Sequence, residues 1–205
     1  MSTDVTAVRR SRLAAGWRAA HHPVPDAPRW AVVAAWLVPL VVLPSSIWRI
    51  TVVWFAPPEG GGRDDLPGWL PIELWVVVLS IGSELLASLA FGLVARWGEI
   101  FPRWVPGLGG RRVPTPVAVV PAALGAALLT VVTTTGAVMN AQGLNVRGEP
   151  LPDDYPLHLR DLEGVVSVAA YAPLVLWGPL LAVLTLAYCR RRHLTARRTR
   201  TRTPR

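Results

Sequence analysis

The stretch Arg96–Pro114, RWGEIFPRWVPGLGGRRVP, decides the fold, because it is the long polar break that is both internal and basic. Apolar runs flank it on either side, so it reads as a loop held against one membrane face with a helical hairpin hanging from each end. Trp97, Phe101 and Trp104 are side chains suited to a membrane interface, and Arg96, Arg103, Arg111 and Arg112 mark that face as cytoplasmic.

Working outward, four segments meet the requirement of roughly 20 apolar residues for about 30 Å of hydrocarbon. They cover about residues 30–55, 70–94, 116–139 and 162–188. The chain is 52% hydrophobic with a mean hydropathy of +0.38, which sets it apart from soluble domains of the same length. The expected fold is therefore all-α, an integral membrane four-helix bundle over residues 30–188. A disordered basic arm, 1–29, precedes it, and a disordered Arg-rich tail, 189–205, follows. The loops expected outside hold only Arg63, Arg147 and Arg160 of the 21 basic residues, so both termini are expected in the cytoplasm of a multi-pass cell-membrane protein.

The first span is too long for the apolar core of a secretory signal, so it is expected to stay as an anchor; its Pro39 and Pro44 predict a kink. The third carries the small pairs Ala122/Ala126 and Ala123/Ala127, which let helices approach closely and predict the most buried helix. Pro150, Pro152 and Pro156 argue against a regular element in the loop before the fourth span.

A net charge of +8 and a pI near 11.2 invite comparison with nucleic-acid binders. The Arg residues, however, lie beside the spans and lack a folded reader, and attraction to anionic lipid accounts for them. The expected partners are thus anionic headgroups at the cytoplasmic face, and a membrane protein or a second copy of the chain, but no nucleic acid. Cys189 is the sole cysteine, which excludes an intramolecular disulfide and a thiolate cluster. His21 and His22, and the set Asp153, Asp154 and His158, lack the further ligands a metal needs, so neither metal nor cofactor is expected.

An ionisable group in mid-membrane costs about 3 kcal/mol on insertion scales, so each is a candidate for function. On the second span, Glu73, Ser80, Glu84 and Ser88 share one helical face at about 100° per residue. The first span adds Ser45 and Arg49, the third Thr130 and Thr134, and the fourth Glu163, Ser167 and Tyr171. Antiparallel packing would gather Arg49, Glu73, Ser80, Thr134, Glu163, Ser167 and Tyr171 in the outer half of the bilayer. Arg49 is expected to pair with Glu73, with Glu84 on the floor of an outward-facing polar pocket above an apolar plug. Two readings stay open: hydrogen bonds that fix the helix register, or a ligand or proton site.

Gly107, Gly109, Gly110, Arg111 and Arg112 offer N–H groups and guanidinium forks to a phosphate, although the Lys and Ser/Thr of a nucleotide loop are missing. Arg96, Arg103, Trp104, Arg111 and Arg112 are the expected lipid-headgroup contacts. A Trp- and Pro-anchored turn carrying ordinary positive-inside Arg explains the same residues.

The runs GLVARWGEIFPRWVPGLGGRRVP (92–114), LPSSIWRI (43–50) and YAPLVLWGPLLAVLTLAYCRRR (171–192) resemble a family of small, uncharacterised four-span membrane proteins of actinobacteria. The resemblance covers most of the membrane part, excludes both tails, and implies location and helix count without any site. No nucleophile elbow or zinc-protease helix is present. The leading expectation is a non-catalytic protein that binds a lipid or other hydrophobic ligand, or serves as accessory subunit of a membrane complex. The alternative is an oligomeric proton-coupled transporter working through Glu84. An intramembrane enzyme using Glu84 with Tyr171 is the weaker third.

Overall fold

The computed structural model describes residues 23–24, 26–55, 67–100, 107, 109–145, 148–151 and 162–201. Continuous apolar sequence leaves the backbone to satisfy itself, and helix is the local way to do so. The elements are α1 (Arg29–Phe55), α2 (Ile72–Ser88), α3 (Thr115–Ala141), α4 (Leu162–Tyr171) and α5 (Trp177–Thr201). Short 3-10 segments follow α2 at Leu89–Leu93, occupy Arg96–Gly98, and join α4 to α5 at Ala172–Leu176. No strand occurs among the described residues; the extended pairings are the isolated bridges Pro23–Ala95, Ile100–Arg112 and Leu144–Pro150.

Four helical stretches are each long and apolar enough to cross a membrane: Arg29–Phe55, Ile72–Leu93, Thr115–Ala141 and Leu162–Thr195. Pro71 and Pro114, in extended backbone, start α2 and α3. Proline suits that place because it lacks the N–H that a first turn leaves unbonded. At the far end of α3, Gly143 turns left-handed at φ 72°, and the Leu144 and Gly143 amides donate to the carbonyls of Met139 and Asn140. This reverse turn caps the helix. Beyond it the Asn145 amide donates to Glu149 O and the Leu151 amide to Gly143 O, and Pro150 takes part in an isolated bridge with Leu144 and not in a regular element.

Proline acts differently in the first and fourth spans. α1 runs unbroken past Pro39 and Pro44, whereas Pro173 falls in the 3-10 segment that divides the fourth span. Beyond that break α5 does not stop at Tyr188 but continues to Thr201, because Arg is a good helix former and Arg191 and Arg192 are anchored to neighbouring backbone.

α1 lies between α2 on one side and the α4–α5 span on the other, and α3 packs on α5 and the 3-10 segment before it. The order across the molecule is thus second, first, fourth, third. The second and third spans, adjacent in sequence, have no substantial packing against each other. The apolar core gathers Ala31, Ala35, Val38 and Val42 of α1 with Ala87, Ala90 and Leu93 of the second span and Trp177, Leu184 and Tyr188 of α5. These residues lie in the half of the bundle that carries the central loop, called here the basic end.

The third span is the least buried and not the most: 6% of its apolar stretch is enclosed, against 39% for α1. Its small residues do admit a close neighbour, on one face only. A Cβ on Gly178 of α5 would strike the side chain and amide of Thr130 and the Ala126 carbonyl. Small pairs report how closely one neighbour can approach, not how many neighbours there are. Hydropathy is no guide either, since lipid tails are as apolar as a helix interface.

Candidate functional site

The polar residues of the spans meet along the seam between α1 and α2. Ser45 lies one turn before Arg49 on α1, and its hydroxyl donates to the Val42 carbonyl at 2.8 Å. On α2 the Ser83 hydroxyl likewise lies against its own backbone, 2.8 Å from Leu79 O and 2.9 Å from Ser80 O. With their protons turned to the backbone, both hydroxyls present an oxygen to Arg49. Arg49 Nε donates to Ser45 O at 3.2 Å, while Nη2 approaches Ser45 Oγ at 3.4 Å and Ser83 Oγ at 3.5 Å.

All of these acceptors are neutral. The expected pair with Glu73 is not formed: among the described residues Arg49 has no ion pair, and the half-buried Glu73 lies more than two turns along α2 from the serine that Arg49 reaches. Glu84, next to Ser83, holds one carboxylate oxygen buried without a hydrogen-bond partner. The hydroxyls of Ser46 and Ser80 are in the same condition, as is that of Ser167 on α4, the helix that packs on the opposite flank of α1. Ser80 and Ser167 are 1% and 0% exposed, so solvent does not complete them.

The remaining expected site residues do not join this seam. Thr134 is on an exposed face of α3, whose packing is with the fourth span, and Glu163 is exposed in the first turn of α4. Tyr171 is half-buried at the end of α4, where the 3-10 break begins. An exposed threonine in a span is accommodated by bonding its own helix, as Thr51 Oγ1 does to Ile47 O at 2.9 Å. A polar stripe therefore does not have to face a cavity.

A second polar cluster, built quite differently, closes the basic end. Arg191 Nη2 donates to Glu99 Oε1 at 2.9 Å and to the Leu93 carbonyl at 3.2 Å; the two side chains are 9% and 23% exposed. Tyr188, almost fully buried, donates its hydroxyl to Gly98 O at 3.2 Å, with the guanidinium carbons of Arg191 and Arg192 5.5 and 5.9 Å from its ring centre. Arg192 holds the other end of the loop, with Nη2 2.7 Å from Val113 O and Nε 3.3 Å from Thr115 Oγ1. The loop crosses itself where the Val113 amide meets Glu99 O, and Val24 of the arm donates to Val94 O.

The approach of chain to chain here is close enough that a Cβ on Gly98 would collide with the Gly92 carbonyl, and one on Gly92 with the Trp97 ring. Arg96, Arg111 and Arg112 are exposed at this end, with Gly107, Gly109 and Gly110 exposed beside them. Arg103 and Trp104 lie outside the described residues, as do Phe101, His21, His22, Asp153, Asp154 and His158. Glu99, Tyr188, Arg191 and Arg192 were not singled out by the sequence reading. The signal was available, since Glu99 is the one acid among four Arg between Ala95 and Pro114, and such an acid needs a cation to hold. No known protein family matches the chain, and neither a curated protein nor a solved structure is similar to it.

Proposed function

We propose that this is a non-enzymatic multi-pass protein of the cell membrane, with both termini cytoplasmic, that holds a lipid or other amphipathic ligand at the polar seam between its first two spans. One observation carries the reading: Glu84 Oε1 and the hydroxyls of Ser46 and Ser80 are buried among apolar helices without a partner among the described residues. Burying a hydroxyl without a hydrogen bond costs about 1–3 kcal/mol, and a carboxyl more. A ligand that supplies the missing partners repays that cost on binding. The apolar core at the basic end serves as the plug below the site. The exposed Arg96, Arg111, Arg112 and Arg190 meet anionic headgroups of the inner leaflet.

The test is to purify the full chain and its Glu84→Gln variant in a mild uncharged detergent and to identify bound amphiphiles by mass spectrometry. The expected result is a lipid-like molecule retained at a constant ratio to protein, and depleted in the variant. A wild-type protein free of any retained molecule, with a variant of equal melting temperature, would overturn the reading.

A further inference from the structure

Arg49 has a directional imbalance in its hydrogen bonding. Its Nε and Nη2 donors turn inward to Ser45 and Ser83, and no described residue accepts from Nη1. The side chain is half-buried, and Nη1 is not among the enclosed atoms that lack a partner, so this edge is not sealed within the bundle. The head is also held still: Ser45 is fully buried, and both serine oxygens are fixed by their bonds to backbone. A guanidinium held on one edge by neutral oxygens and open on the other keeps its whole positive charge for what arrives there. Planar guanidinium recognises carboxylate and phosphate oxygens through paired N–H donors.

We infer that the Nη1 edge of Arg49 seats the anionic head of the ligand, which is therefore an amphiphile with a carboxylate or phosphate at one end and an apolar chain. The inference rests on the ligand-binding reading above and adds the charge and orientation of what is bound. The head lies at Arg49, six residues before the end of α1 at Phe55, and so about 9 Å along the helix from that end. The apolar chain follows the exposed flank of α2, where Leu79 and Leu86, one turn either side of Ser83, present hydrocarbon.

Binding to the full-length protein in uncharged detergent tests this with three probes: a long-chain fatty acid, the alcohol of the same chain length, and phosphatidylglycerol. Wild-type protein is expected to bind the acid or phosphatidylglycerol at least about ten-fold more tightly than the alcohol. Arg49→Gln removes that preference, while Arg49→Lys, which keeps charge without the fork, retains part of it. Tighter binding of the acid identifies a carboxylate ligand, and tighter binding of phosphatidylglycerol a phosphate one. Equal binding of acid, phosphatidylglycerol and alcohol by the wild type would overturn the anionic head and leave the ligand-binding reading standing. If no probe binds and nothing is retained on purification, both fall. Should Arg49→Gln fail to fold, the wild-type comparison of acid with alcohol and the Arg49→Lys protein decide the matter.

Discussion

At the basic end the Glu99 carboxylate meets Arg191 at 2.9 Å, Tyr188 reaches the Gly98 carbonyl, and Arg192 holds Val113 and Thr115. Along the seam of α1 and α2, by contrast, Ser80, Ser46 and Glu84 Oε1 are buried without partners among the described residues, where the cation at Arg49 touches only neutral oxygens. The Nε of Arg191 is the exception in the first cluster. The difference separates two uses of polarity in an apolar chain. A saturated cluster ties segments that are far apart in sequence, here the arm, the loop and the last helix, and contributes stability. An unsaturated cluster costs stability and keeps capacity for something that is not part of the chain.

The contrast is broken most directly at Gly98. Its substitution by Ala places a methyl group against the Gly92 carbonyl, where the obstacle is backbone and not a side chain that can turn away. Overpacking ordinarily costs 1–3 kcal/mol, and a backbone obstacle puts this case at about 3 kcal/mol or more. Thermal melting in detergent is expected to fall further for Gly98→Ala than for any single change at the seam. An unchanged melting temperature would show that the basic end does not anchor the fold.

A smaller loss is expected from Glu99→Gln or Arg191→Gln. Breaking a fully buried pair costs about 3–5 kcal/mol, and the 23% exposure of Glu99 brings the expected loss nearer to about 2 kcal/mol. Because Arg191 also donates to Leu93 O, its loss should exceed that of Glu99. Reversing both charges together should recover part of the stability in a double-mutant cycle, since the two side chains are in contact. A coupling energy near zero would make the pair a bystander and leave Tyr188 and Arg192 as the ties.

The helices were legible in the sequence and their neighbours were not. Each span declared itself by length and hydropathy, and the observed limits fall within a few residues of the expected ones at 30–55, 70–94 and 116–139. Which spans touch could not be read, because an exposed Leu124 and a buried Leu184 look alike to any hydropathy scale. The site was legible in part. Periodicity placed Ser80 and Glu84 on one face of α2, and each holds a buried oxygen without a partner among the described residues. It also gathered Thr134 and Glu163, which the packing order leaves exposed. Arg49 was matched with an acid on charge alone, whereas its reach along the seam ends at Ser83. The Glu99–Arg191 tie joins residues 92 apart, a separation at which no local pattern carries information.

The finest test sets two serines of the same helix against each other. Ser80 is 1% exposed and its hydroxyl has no partner, so Ser80→Ala removes a buried polar group without removing a hydrogen bond. Stability should stay within about 0.5 kcal/mol of wild type or rise by up to about 1 kcal/mol. Ser83 gives an oxygen to Arg49, and Ser83→Ala should cost about 0.6 kcal/mol, the average measured for side-chain bonds between membrane helices. The sign of the difference is what matters, and denaturant unfolding of both variants in the same detergent reads it directly. If Ser80→Ala is the more damaging of the two, its hydroxyl is bonded in the folded protein and the seam is register-fixing glue. If Ser80→Ala is neutral or stabilising while Ser83→Ala is not, the protein carries a buried polar group at its own expense, which is the property expected of a site that awaits a ligand.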